Sequence, residues 1–327
     1  MSINKRVAFG LMAWLIIAGC VSAFAQQQKV IIDTDIGDDI DDVLAVGLAL
    51  SSPELNILGV SSAWGDTELR SKMLDRLLCE TGRSDIPVAT GVKTATNNRL
   101  TQEAWAKAGE VHPHGNAVDF LLEQIQKNPG EITLIAIGPL TNVGAVIDRD
   151  PVTFKKLKRV VLMGGSVRSG YDEFFGLREA RPAEAEYNIA MDPAAAQKLV
   201  KSGVPIYMMP LDSTQLKFDE VKRAMLHTVS TPLTDSLQVL IAEWQHGAHQ
   251  TTPTMFDAVA VAYTLQPELC PVTSLHINVD DKGFTREGSG AANVNVCLSS
   301  DSDQFFRFFM PRLVGQKLSG TSSCVAK

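Results

Sequence analysis

Six aspartates, Asp33, Asp35, Asp38, Asp39, Asp41 and Asp42, fall within ten positions, with Gly37 among them. Each carboxylate disfavours ionisation of the next, so a loop this acidic is relieved by a bound cation. Oxygen donors with no accompanying His and Cys cluster suit a hard ion, calcium or magnesium, rather than zinc. An exposed acidic loop that caps a helix is the plainer reading of the same residues.

Two known cation patterns fit poorly. A haloacid-dehalogenase-like phosphatase places Asp-x-Asp after its first strand, which Asp33-Thr34-Asp35 satisfies, but Gly37 stands where such sites carry Thr or Val. An EF-hand loop begun at Asp33 would put Asp38 at the glycine position and a strand where a helix belongs.

The elements around the run decide where it sits. Val30-Ile31-Ile32 is an apolar strand that stops at Asp33, and helical sequence resumes at Val43 and runs to Leu50. Leu55 to Ser62 reads as a strand, and Thr67 to Glu80 as a helix with Leu69, Met73, Leu74, Leu77 and Leu78 on its apolar face. Strand and helix patterns go on alternating: strands at 132–137, 159–163, 204–208, 275–279 and 294–298, helices at 117–126, 141–147, 193–201 and 257–265. Residues 91–115 carry little regular pattern and hold Trp105, His112 and His114, as a functional loop would. Several strands lack a polar side. The fold class is therefore α/β, one domain with a mostly parallel central sheet and helices on both faces. Ligands in such folds bind beyond the carboxyl ends of the strands, where the polar clusters Asp33 to Asp42, Trp64 to Asp66, Gly138 to Asn142 and Gly164 onward collect.

With 327 residues, 45 % of them hydrophobic, the chain can bury a large core, and a net charge of -7 argues against a partner nucleic acid. Lys5 and Arg6, the apolar run Val7 to Ile17 and Ala23-Phe24-Ala25 read as a secretory signal over residues 1–25, leaving 26–327 as the folded domain. Ile17-Ala18-Gly19-Cys20 also reads as a lipobox, which would anchor the chain by lipid at Cys20. The expected location is periplasmic or secreted, with no integral membrane segment in the mature chain. Of the cysteines that remain, Cys270 and Cys297 are a candidate pair, while Cys79 follows Leu77-Leu78 as a small core residue would.

Further segments complete a resemblance. Asp33-Thr34-Asp35-Ile36-Gly37 and, two residues later than expected, Asp41-Asp42-Val43-Leu44-Ala45 are similar to the opening motif of the inosine-uridine preferring nucleoside hydrolases. In the same order follow Gly138-Pro139-Leu140-Thr141-Asn142, Met163-Gly164-Gly165, Glu186-Tyr187-Asn188 before Asp192-Pro193, Leu211-Asp212-Ser213-Thr214 and Asp257-Ala258-Val259-Ala260. They span nearly the whole mature chain.

The resemblance implies calcium-dependent hydrolysis of the N-glycosidic bond of ribonucleosides. Asp35 matches the general base that also contacts calcium, Asp42 a bidentate ligand, Thr141 a backbone carbonyl ligand and Asp257 a further carboxylate ligand. Asp41, Glu186 and Asn188 match residues on the ribose hydroxyls. Asp66 stands where relatives carry Asn, and a carboxylate there can accept from ribose but not donate. Relatives imply a homodimer or homotetramer. Plainer roles exist: Thr141 and Asp192 as helix caps, Glu186 and Asn188 as surface residues, Asp212 as a turn acceptor.

One departure bears on mechanism. Phe256 occupies the position where many relatives have the His that protonates the leaving base, and a benzyl ring holds no such proton. His112, His114, His246 or His249 could supply the acid. Alternatively Trp64, Trp105, Trp244 or Tyr187 could stack on the base, or the chain could bind ribosyl compounds without efficient hydrolysis. The Asp38-Asp39 expansion leaves a register with Asp39 as second ligand open, although Val43-Leu44-Ala45 favours Asp41-Asp42.

Overall fold

Alternate side chains of the apolar runs enter different cores, which is how a sheet covered on both faces is built. In the first strand Val30 and Ile32 join one core cluster and Ile31 the other; Ile135 and Ile137 oppose Leu134 and Ala136 in the same way, as Val161 and Met163 oppose Val160 and Leu162. The computed structural model describes residues 27–96, 98–110, 112–172, 181–320 and 324. The expected signal and Cys20 lie outside them.

The strands are β1 Gln28–Thr34, β2 Leu55–Ser62, β3 Val88–Thr90, β4 Gly115–Asn116, β5 Thr133–Ile137, β6 Arg159–Met163, β7 Ile206–Met209, β8 Val272–Leu275, β9 Ile277–Val279, β10 Thr285–Glu287 and β11 Val294–Cys297. Nine of them form a sheet in the order β4-β3-β2-β1-β5-β6-β7-β11-β8. Every pairing in it is parallel except β8 with β11. The order runs outward in one direction from β1 through β2 and in the other from β5 through β6, so the switch point lies between β1 and β5. The loops leaving these two strands carry the acidic run and Gly138 to Asn142, where an open α/β sheet takes its ligand.

Three local expectations change. The helix after β1 begins at Asp41 rather than Val43 and runs to Leu50, so Asp41 and Asp42 form its first turn instead of a loop. Carboxylates are favoured there by the unpaired N–H groups and positive end of the helix. All ten of its residues are buried, and it packs against the equally apolar helix Phe256–Leu265. Truncating a fully buried side chain such as Leu44 to Ala would cost about 2–5 kcal/mol.

Second, the run 275–279 is split between β8 and β9, which leaves the main sheet to pair with β10. Third, Cys79 is disulfide-bonded to Cys324, 245 residues away, so it is not merely a core residue. A distance of that kind leaves no trace in local pattern. Cys270 and Cys297 pair as expected. Among the described residues no helix is long and apolar enough to cross a membrane.

Candidate active site

A cavity of about 230 Å³ opens at the switch point. Asp35, Asp38, Asp39, Asp41, Asp42, Asn98, Tyr171, Glu186, Tyr187, Asn188, Phe256 and Asp257 line it. They come from five separate stretches of chain, tied together by local caps and by hydrogen bonds between distant segments.

The end of β1 is fixed first. The Thr34 hydroxyl donates to the Asp42 carboxylate and accepts the N–H of Ile36 at 3.2 Å, so one side chain turns the loop and orients a carboxylate of the next helix. Gly138 presses on Asp35: a Cβ there would come within 2.8 Å of both its amide nitrogen and Oδ1. Buried Asn142 donates to Asp33 Oδ1 at 2.8 Å and to the Ser62 carbonyl at 2.9 Å, and accepts the Val92 N–H at 2.8 Å. One amide thus ties β1, the end of β2 and the chain beyond β3. Asp33 itself is scaffold. It also accepts from Ser61 at 2.5 Å, and burial pushes its carboxyl up to about 6.

The first turns of two buried helices bring Asp41, Asp42 and Asp257 together, with carboxylate oxygens within 4.8 Å of one another. Burial, then the neighbouring carboxylates, hold all three well above the usual carboxylate range. Asp257 Oδ1 is buried with no hydrogen-bond partner among the described residues. An unpaired oxygen in an all-carboxylate cluster is what a hard cation satisfies, so the residues fit a metal of that class. Asp41 belongs to this group of three, and Asp35 is not a member of it but lines the same cavity. Burial pushes Asp35 up to about 7; the Arg70 guanidinium opposes that shift, and Asp38 and Glu186 add to it.

Glu186 caps the helix Tyr187–Met191, accepting from Asn188 and Ile189, and also takes the Gly165 N–H at 2.8 Å. The Asn188 amide donates to the Met163 carbonyl at 3.1 Å. These two are buried site residues, not surface ones. Thr141 opens the helix Thr141–Arg149 and donates its hydroxyl to Asp192 at 2.9 Å, and it is not among the residues that line the cavity. Asp192 also caps the helix Pro193–Val200. Asp212 accepts the N–H groups of Val167, Arg168 and Ser169, pinning the loop beyond β6. Asp66 caps the helix Thr67–Glu80 by accepting from Leu69 and does not line the cavity.

None of the expected histidines or tryptophans lines it either. His112 is exposed, and His114 lies 2.7 Å from Asp75. His246 is exposed in the last turn of the helix Pro232–Ala248, which His249 ends. Trp105 is buried under the Arg76 guanidinium, and Trp244 is core. Trp64 adopts a positive φ of 60° in the loop beyond β2. Tyr187, the remaining stacking candidate, does line the cavity, and so do Tyr171 and Asn98, which no pattern in the sequence distinguishes.

Known proteins of similar sequence and shape bear on this arrangement. A family model described as inosine-uridine preferring nucleoside hydrolase matches residues 30–307. The pyrimidine-specific ribonucleoside hydrolase RihA of Citrobacter koseri is 30 % identical over 79 % of this chain and 86 % of its own. Uridine nucleosidase 1 of Arabidopsis thaliana is 35 % identical over 60 % of each. A solved purine-preferring ribonucleoside hydrolase from Gardnerella vaginalis superposes with a TM-score of 0.72 at 25 % identity, covering 88 % of this chain and 98 % of that one.

Proposed function

The chain belongs to the inosine-uridine preferring nucleoside hydrolase family, a family of N-glycosyl hydrolases, and from that premise we propose that its cavity hydrolyses ribonucleosides with calcium as the bound ion. The observation that carries the reading is the convergence of Asp41, Asp42 and Asp257 beside Asp35 and Glu186 in one cavity.

Asp42 and Asp257, with Asp41, would hold the ion, and the Thr141 carbonyl would complete the protein's share. A protein-supplied shell of carboxylate and carbonyl oxygens suits calcium better than magnesium, which keeps several waters and is seldom held by an all-protein cage. The bound ion would orient the attacking water and lower its pKa. Asp35 takes the proton of that water as its oxygen bonds to C1′ of the ribose, and the electron pair of the C1′–N bond leaves with the base. A group pushed up to about 7 is matched to accepting a proton near neutral pH. Glu186 and Asn188 hold sugar hydroxyls, and the surrounding carboxylates stabilise positive charge that develops on the ribose.

Two disulfides support export, because such bonds persist in oxidising compartments. With the expected signal over residues 1–25, we place the mature protein in the periplasm or outside the cell.

The test is hydrolysis of a ribonucleoside panel with calcium and with chelator, read as reducing sugar and free base. Uridine and cytidine lead it because of the named specificity of relatives, and inosine is the purine comparison. No release from any nucleoside with calcium present would overturn the reading. Release from a phosphate ester instead would favour a phosphatase.

A further inference from the structure

The reading above leaves Arg70 unused, although its side chain has no exposed surface and its partner Asp38 only 19 %. Every nitrogen of the guanidinium donates, four hydrogen bonds in all. Nε donates to the Trp64 carbonyl at 2.8 Å, Nη1 to the carbonyls of Asp35 and of Ile36, the latter at 2.9 Å, and Nη2 to Asp38 Oδ2 at 2.9 Å. These acceptors belong to the loops leaving two adjacent strands, β1 and β2. One is the peptide carbonyl of Asp35 itself. Another belongs to Trp64, which is held at a positive φ that bulky residues avoid.

Burying an arginine is costly unless its fork is fully engaged. A residue needed only to fill the core between β1 and the helix Thr67–Glu80 would be apolar. What this fork adds is geometry: it fixes the peptide planes that follow Asp35, and the missing Cβ of Gly138 lets the end of β5 close on its amide and carboxylate. The Asp35 carboxylate has little freedom left.

We propose that Arg70 is a positioning residue for the hydrolysis, and that Asp38, the first residue of the Asp38-Asp39 expansion, is present to complete its fork. The proposal rests on the hydrolase reading. Arg70 does not touch substrate; it sets where Asp35 stands relative to the attacked carbon. A displacement of about 1 Å at such a group costs on the order of a hundredfold in rate.

The experiment compares Arg70→Lys, Arg70→Ala and Asp38→Asn with wild type in calcium, using uridine and inosine. It measures kcat, KM, the folded fraction by near-UV circular dichroism and ribose binding by calorimetry. Arg70→Lys keeps a charge but cannot span the four acceptors, so kcat should fall about a hundredfold with KM and ribose affinity within about threefold. Asp38→Asn keeps an acceptor and should lose about tenfold. In Arg70→Ala, added guanidinium ion at tens of millimolar should restore part of kcat, which a collapsed core would not show. The proposal is overturned if Arg70→Lys keeps wild-type kcat. It is equally overturned if the loss in every variant equals its loss of folded protein. Wild type without activity on any nucleoside removes the hydrolase reading and this proposal together; active wild type with indifferent variants removes this proposal alone.

Discussion

The ring of Tyr171 stands edge-on to that of Phe256, with centroids 6.1 Å apart and planes at 81°. The Tyr171 hydroxyl accepts the Tyr187 N–H at 3.1 Å, and the Tyr187 hydroxyl accepts from the Asn98 amide at 2.8 Å. Each phenol therefore keeps its own proton, and burial holds both above the usual tyrosine range. At position 256, where the family resemblance implies a histidine, this chain has Phe, and the cavity offers two O–H donors. Replacing Tyr171 or Tyr187 with Phe should lower turnover of uridine about tenfold or more, while Gln at His112, His114, His246 or His249 leaves it within about twofold. Steady-state kinetics on the six single variants decides the matter; a large loss at any histidine would refute it.

Asp257 carries the prediction for the ion. Its Oδ1 has no hydrogen-bond partner among the described residues, in a cluster that burial has made costly to ionise, so binding a cation should stabilise the whole fold. Calcium at about a hundred times its Kd should add about 2.7 kcal/mol to unfolding of the wild type. Asp257→Asn removes one charged ligand and should weaken calcium by about two orders of magnitude, cutting that stabilisation to about 0.4 kcal/mol at the same concentration. Calorimetric titration and thermal melts of the chelated and loaded forms measure both. Equal calcium affinity in the variant would refute the cluster as the binding site.

Much of this site is legible in the sequence because its parts are local. Asp35, Asp41, Asp42 and Glu186-Tyr187-Asn188 sit at ends of strands or starts of helices, where pattern and chemistry coincide. Arg70 is hidden because a charged residue in an amphipathic helix is read as surface. Yet it lies three and four residues before Met73 and Leu74, hence on the buried face. Tyr171 and Asn98 lie on irregular segments whose path only tertiary packing determines. Asp66 misleads for the opposite reason: its local task as a helix cap wins over a role in the cavity.

Glu186 gives a pH dependence whose sign follows from its burial. Burial pushes its carboxyl from the ordinary 4.5 up to about 7, against three backbone N–H bonds that lower it. With the folded pKa raised, its contribution to stability is full below about 4.5 and is lost as pH rises toward 7. Glu186→Gln stays neutral throughout. Its stability relative to wild type should therefore improve between pH 4.5 and pH 8, by at most about 3 kcal/mol. Urea unfolding of both chelated proteins across that range measures it, and a constant difference would refute the shift.

The Cys79–Cys324 bond yields the last prediction. It joins the last turn of the helix Thr67–Glu80 to the carboxyl-terminal tail, whose Gly320 lies so close to the Glu80 carbonyl that a Cβ there would come within 1.5 Å of it. The bridge closes a loop of 245 residues, against 27 for Cys270–Cys297. Loop-closure entropy then predicts the larger loss for the long bridge, about 5.5 kcal/mol against about 3.5, before any relaxation of the folded state. Cys79→Ser should accordingly unfold at lower urea than Cys270→Ser, and reduction of wild type should approach the sum of both effects. The reverse order of midpoints would show that strain or residual structure, not chain entropy, governs these bridges. Alkylation before reduction should label none of the four cysteines in protein recovered from an oxidising compartment; labelling at Cys79 or Cys324 would contradict the long bridge.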